Sequence, residues 1–183
     1  MIALLIVIGS VLIAIIYIIS IYNRLVGFKN RMEEAWSGID VFLKKRHDLI
    51  PNLLATVKGY AAHEKQTLEE VTLCRTQAMN ATGLDAQMAS EAGLGKALGR
   101  LMAVVESYPA LKANTNFLQM QQQLALLEEE LALSRRYYNG TVRENNIFIE
   151  KFPSNIIAGM FNFKKGKFFE IDKMEKEVPK VAF

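Results

Sequence analysis

MIALLIVIGSVLIAIIYIISIYNRLVGFKNRMEEAW, residues 1–36, changes character at Asn23. Met1 to Asn23 contains no charged side chain, and over residues 1–20 only Gly9, Ser10 and Ser20 stand outside the strongly apolar and aromatic set. About 20 such residues at a helical rise of 1.5 Å cover about 30 Å, the thickness of one bilayer core. Ile and Val are poor formers of soluble helices, but lipid forces every backbone group into helical hydrogen bonds. Tyr17 and Tyr22 fall toward the exit, where amphipathic rings favour the headgroups. A cleaved signal peptide needs a basic leader and a small-residue cleavage site. No Lys or Arg precedes this run and no A-x-A follows it, so residues 1–23 read as an uncleaved transmembrane anchor that partners membrane lipid.

Outward from the span, the charges give a direction. All 22 basic residues lie after it. Arg24, Lys29, Arg31, Lys44, Lys45 and Arg46 face only Glu33, Glu34 and Asp40, a local excess of three that equals the net charge of +3 for the whole chain. The positive-inside rule then expects a single-pass protein of the cell (inner) membrane, with its N-terminus outside and residues 24–183 in the cytoplasm. Arg24, Lys29 and Arg31 lie close enough to meet anionic headgroups. Lys44 to Arg46 are about 30 Å further along a straight helix and belong to the bundle or to a partner.

From Leu25 the period becomes helical. Apolar residues recur at Leu25, Phe28, Met32, Trp36, Ile39, Leu43, Ile50, Leu53, Val57, Ala61, Leu68, Val71 and Ala78. Steps of three, four and seven give a mean period of about 3.5, a long helix with a coiled-coil-like seam. Polar residues interrupt it at Arg46, His47 and Glu64. Pro51 removes a backbone donor inside that helix and predicts a kink. It leaves the His47 carbonyl without its usual partner, open to water, to a neighbouring helix or to another protein.

Asn80 to Asp85 carry turn residues and end the first helix. A second is expected from about Ala86 to Tyr108, with a stripe of Leu94, Leu98, Leu101, Val105 and Tyr108. Gly95, Gly99 and Ala103 sit four apart on it and predict close helix packing. Pro109 ends or bends it. Asn114 or Thr115 can cap a third helix running to about Glu150, with a seam of Phe117, Leu124, Leu127, Leu131, Tyr138, Val142, Asn145 and Phe148. Glu128 to Glu130 precede Arg135 and Arg136 at a spacing that suits surface salt bridges. Ser154 can cap a short fourth helix over Ile156 to Phe161. No stretch shows strand alternation.

The expected fold is all-α: an N-terminal transmembrane helix (1–23) continuing into a long antiparallel bundle of three long helices and a short fourth (24–161), then an irregular tail (162–183). In that tail Phe161, Phe163, Phe168 and Phe169 surround Lys164, Lys165 and Lys167, a composition that can enter a membrane interface or pack back onto the bundle.

Composition excludes much chemistry. With 51% apolar and 22% charged residues, the 183-residue chain is neither disordered nor low in complexity. A net charge of +3 is too mild for a dedicated nucleic-acid binder. One cysteine, Cys74, permits no intrachain disulfide and no Cys-rich zinc site. It falls at a seam position, as a buried structural thiol would. His47 and His63 are about 24 Å apart on a straight helix, and His63-Glu64 lacks the second His of a zinc-protease motif. Gly93 to Arg100 lacks the spacing of a phosphate loop. No metal, cofactor or catalytic set is expected. Arg46, His47 and Asp48 read instead as a polar patch in or beside the seam.

The chain resembles the LemA family along nearly its whole length. The resemblance rests on Tyr22-Asn23, Glu34-Ala35-Trp36 and Ile39-Asp40. It is strongest at Leu43-Lys44-Lys45-Arg46-His47-Asp48-Leu49-Ile50-Pro51-Asn52-Leu53, and Val57-Lys58-Gly59-Tyr60-Ala61 follows. Later words are Glu106-Ser107-Tyr108-Pro109, Leu111-Lys112-Ala113-Asn114, Arg135-Arg136-Tyr137-Tyr138-Asn139, Phe152-Pro153-Ser154-Asn155 and Pro179-Lys180-Val181-Ala182-Phe183. Lys45 stands where Arg is common and Phe42 where Gln is common. The resemblance implies a single-pass membrane protein with a helical bundle and a short external N-terminus. It supplies no active site. Some relatives look like lipoproteins with a lipobox Cys; this chain has no Cys before Cys74.

Two functions follow as expectations. The first is a non-enzymatic membrane scaffold forming a homo-oligomer through its helical seam. The alternative is a monomeric adaptor that docks an unidentified protein through Lys44, Lys45, Arg46, His47, Asp48, Pro51 and Asn52.

Overall fold

The apolar periods become six helices in a computed structural model that describes residues 1–169. Residues 170–183, most of the predicted irregular tail, lie outside the described residues. The helices are α1 (Ile2–Tyr60), α2 (Lys65–Asn80), α3 (Leu84–Val105), α4 (Pro109–Lys112), α5 (Thr115–Glu150) and α6 (Ser154–Met160). There is no strand among the described residues, and the all-α expectation holds.

The apolar start of α1 is long enough to cross a membrane, and its most apolar window of 18 residues has no buried position. Bare Ile, Leu and Val side chains over such a length fit a membrane location.

The long first helix predicted to Ala78 is corrected. It stops at Tyr60, and a turn over residues 61–64 separates it from α2. Leu54 and Thr76, about 33 Å apart on one straight helix, line the same groove. A single helix cannot bury its own seam. Folding back places Val57 and Ala61 in one core with Val71 and Ala78. Polar side chains hold the turn: Tyr108 Oη donates to Glu64 Oε1 at 3.0 Å, and Asn114 Nδ2 to Tyr60 Oη at 3.0 Å. The first of these bonds pushes the Tyr108 phenol above its ordinary pKa.

The turn predicted at Asn80 to Asp85 is present, with Gly83 at φ 85°, a conformation that favours glycine. The second helix ends at Val105, short of Tyr108, and Pro109 opens the single turn of α4 at a position where its missing N–H is harmless. Asn114 caps α5, its Oδ1 accepting from the Phe117 N–H at 3.0 Å. Ser154 does not cap α6. It is the first helical residue, and its Oγ donates to the carbonyls of Phe148 and Lys151.

The chain divides into two compact units, Met1–Ile39 with Leu133–Phe168, and Asp40–Ala132 with Phe169. In the first, Ile21 and Leu25 of α1 pack with Ile157 and Ala158 of α6 and with Phe163. Trp36 meets Tyr138 edge-on at 5.4 Å, and burial pushes the Tyr138 phenol above its ordinary pKa. A Cβ at Gly166 would collide with Met32 Sδ, and the Gly166 N–H donates to Asn146 Oδ1 at 2.8 Å. In the second unit α2 packs along α3. Its core joins Ile50, Leu53, Val57, Val71, Leu94, Leu101, Leu111 and Phe117. Cys74 packs against this core, half-buried.

Candidate functional site

The polar patch expected at Arg46, His47 and Asp48 divides. Arg46 falls three residues after Leu43 and four before Ile50, and His47 four after and three before. Both therefore share the buried face, with 2% and 8% of their surface exposed. Asp48 turns outward with Lys44, Lys45, Pro51 and Asn52. Lys45 Nζ lies 5.2 Å from the centroid of Phe42.

Arg46 and His47 converge on Glu91 of α3. Arg46 Nη2 donates to Glu91 Oε2, and His47 Nε2 lies 2.7 Å from Glu91 Oε1. Arg46 Nη1 donates to Glu128 Oε1 of α5 at 2.6 Å. An ionised carboxylate only accepts, so His47 carries a proton on Nε2. Burial pushes the Glu91 carboxyl up, but the His47 hydrogen bond and the Arg46 and His47 charges outweigh it and leave the pKa below its ordinary 4.5. Arg46 Nε is buried without an acceptor.

The carbonyl freed by Pro51 is also used. The helix continues through the proline, and Arg75 of α2 donates from Nε to the His47 carbonyl at 2.7 Å. Four elements thus meet at one polar point inside an apolar core. The sequence patterns single out neither Glu91 nor Arg75, and the spacing of Glu128 suits surface pairing with Arg135 and Arg136 instead. A signal was present: Glu91 lies three before Leu94, Arg75 four after Val71, and Glu128 four after Leu124, each at a register of an apolar stripe.

Arg75→Leu should cost about 1–3 kcal/mol by leaving the buried His47 carbonyl unpaired. In a Pro51→Ala background the residue 51 N–H can take that carbonyl, and the same change should cost at least about 1 kcal/mol less. A double-mutant cycle by urea denaturation measures this coupling. Equal costs in both backgrounds would show that Arg75 does not replace the missing donor.

Chemically this point is closed. Both Glu91 oxygens are taken, and its side chain is 1% exposed. Among the described residues no group of three or more His, Cys, Asp or Glu side chains is placed to hold a metal.

The predicted packing stripe has another setting. Gly95, Gly99 and Ala103 are exposed, and a Cβ added at Gly95 or Gly99 meets nothing within 4 Å among the described residues. Gly95, Gly99 and Met102 of α3 line an open groove with Leu124, Ala125 and Glu128 of α5, and Ala103 lies outside it.

The tail aromatics also divide. Phe163 packs on the Ile21–Ile157 cluster and Phe169 is buried, whereas Phe161 and Phe168 remain 51% and 42% exposed.

Several known proteins share sequence with this chain. Magnetosome protein MamQ 2 of Paramagnetospirillum magneticum is 27% identical over 175 residues, covering 81% of this chain and 64% of its own length. Magnetosome protein MamQ of Magnetospirillum gryphiswaldense is 26% identical, covering 87% of this chain and 70% of its own. Protein LemA of Metamycoplasma hominis is 26% identical, covering 84% and 71%. The chain thus spans less than two thirds of the length of the Paramagnetospirillum relatives it matches. Residues 35–183, including the Arg46–His47–Pro51 block and the helices that close on it, match the LemA family model, and the chain belongs to the LemA family.

Proposed function

We propose that this protein is a membrane-anchored, non-enzymatic helical scaffold that self-associates, with its span in the cell membrane and its helical units on the cytoplasmic side. The groove at Gly95 and Gly99 carries the reading. Each helix-interior glycine costs about 1 kcal/mol against alanine, and among the described residues no neighbour stands where a Cβ would, so the fold of one chain does not require glycine there. A second copy packed into the groove would. The closed Arg46–Glu91 network and relatives whose names state no reaction support a non-enzymatic role. The excess of Lys and Arg after the span supports the orientation.

Light scattering of the full chain in mild detergent tests this. The wild type is expected at the mass of a defined homo-oligomer. Gly95→Leu with Gly99→Leu should shift it to a single chain, with thermal stability equal or higher because the added side chains clear the fold. An unchanged oligomer would remove the groove as the contact. A monomeric wild type would defeat self-association and favour the adaptor reading, for which Lys44, Lys45, Asp48 and Asn52 offer an exposed face.

A further inference from the structure

The end of the membrane span is not bare. α6 packs through Ile157 and Ala158 on Ile21 and Leu25, where the apolar run gives way to Arg24. Phe161 and Phe163 meet Tyr22 edge-on at 4.8 and 5.7 Å. Having buried one side there, α6 leaves the other uncovered. Ile156 and Met160, one turn apart, are 53% and 71% exposed, and Phe152 and Phe161 at its two ends are 76% and 51% exposed. Four large apolar side chains around a seven-residue helix are costly to leave in water.

The charge around them is mainly positive, with Glu33 and Glu150 at its margin. Residues 20–31 and 151–168 contain seven Lys and Arg and no Asp or Glu. Beside Tyr22 a cleft opens, lined by Lys29, Lys164 and Lys165 together with Asn30, Asn145 and Asn162. Asn145 is 2% exposed. Lys29 and Lys165 have Glu33 and Glu150 as surface partners, and Lys164 has no ion pair among the described residues.

We propose that α6 and this cleft form a second membrane contact: Phe152, Ile156, Met160 and Phe161 enter the interface of an anionic bilayer, and Lys29 and Lys164 hold a lipid phosphate in the cleft. The inference rests on residues 1–23 being the membrane anchor. Apolar side chains flanked by cations suit the headgroup boundary, where burial and attraction to anionic lipid add. The anchor brings the surface to the bilayer, so even weak attraction is enough to seat it.

Hydrogen exchange of the full chain in lipid nanodiscs tests this. With phosphatidylglycerol present, amides of residues 151–165 should exchange about tenfold more slowly than in discs of phosphatidylcholine alone. High salt, Lys29→Gln with Lys164→Gln, or Ile156→Asn with Met160→Asn should each abolish the slowing, while residues 2–21 stay protected throughout. Equal exchange in both discs with residues 2–21 protected would overturn the contact and leave the anchor standing. The same slowing by free glycerol phosphate in phosphatidylcholine discs would also overturn it, by assigning the cleft to a soluble ligand. Unprotected residues 2–21 would overturn the anchor and this inference together.

Discussion

Glu91→Ala is expected to destabilise the Asp40–Ala132 unit by about 3–5 kcal/mol, because it leaves Arg46 charged in the core. Arg46 and Glu91 side chains are 2% and 1% exposed, so water can replace little of the lost interaction. Glu128 remains as a partner but is 46% exposed, which places the effect toward the lower end. The triple change Arg46→Met, His47→Leu, Glu91→Leu replaces the buried pair and its histidine with apolar side chains, leaves the half-exposed Glu128 to solvent, and should be neutral or stabilising. Urea denaturation of the four chains, wild type, Glu91→Ala, Arg46→Met and the triple variant, separates the two cases. A Glu91→Ala cost below about 1 kcal/mol would mean that the pair contributes no more than a surface ion pair.

The same carboxyl sets an acid response. Its folded pKa lies below the ordinary 4.5, so the folded state binds fewer protons than the unfolded state across the window between the two values. The stabilisation it supplies is full above 4.5 and is lost as pH falls through the folded pKa. The stability difference between wild type and Glu91→Gln should therefore shrink as pH falls below 4.5. A difference independent of pH would contradict the ionised carboxylate.

Phe117→Ala should cost about 3–5 kcal/mol, the range for emptying a buried aromatic site. Phe117 is 1% exposed and shares a core with Val57, Leu101 and Leu111. Its position depends on the cap, since the N–H that Asn114 accepts is its own. Asn114→Ala should cost about 1–2 kcal/mol, because it removes the N-cap and the bond to Tyr60 Oη together. Thermal denaturation of both variants checks the order, which an Asn114→Ala effect as large as that of Phe117→Ala would contradict. Leu126, 61% exposed on the same helix, is the control, and Leu126→Ala should stay within about 0.5 kcal/mol.

Period and punctuation made most of the fold legible. Of the predicted seam, Leu25, Ile39, Leu43, Ile50, Leu53, Val57, Val71, Leu94, Leu101, Phe117, Leu131 and Val142 are all buried. A 3.5-residue repeat can bury only one face of a helix, so it reports which residues go inside whatever they meet there. The charge-free run of 23 residues, the Asn80–Asp85 turn and the Asn114 cap are likewise local signals, each written within a few neighbouring side chains.

Tertiary structure decided where the seam turns back and what meets inside it. Apolar steps continue across residues 61–64, and only the need of Val57 and Ala61 for the cover of Val71 and Ala78 selects a turn over a longer helix. Asp48 and His47 are neighbours in sequence, yet one faces solvent and the other Glu91, which is 44 residues away. Gly95 and Gly99 predict a close approach, but that they line a groove with room for an added Cβ among the described residues is known only once α5 is in place. Periodicity names the side of a helix that is buried; the partner waiting there is chosen by chain segments tens of residues away.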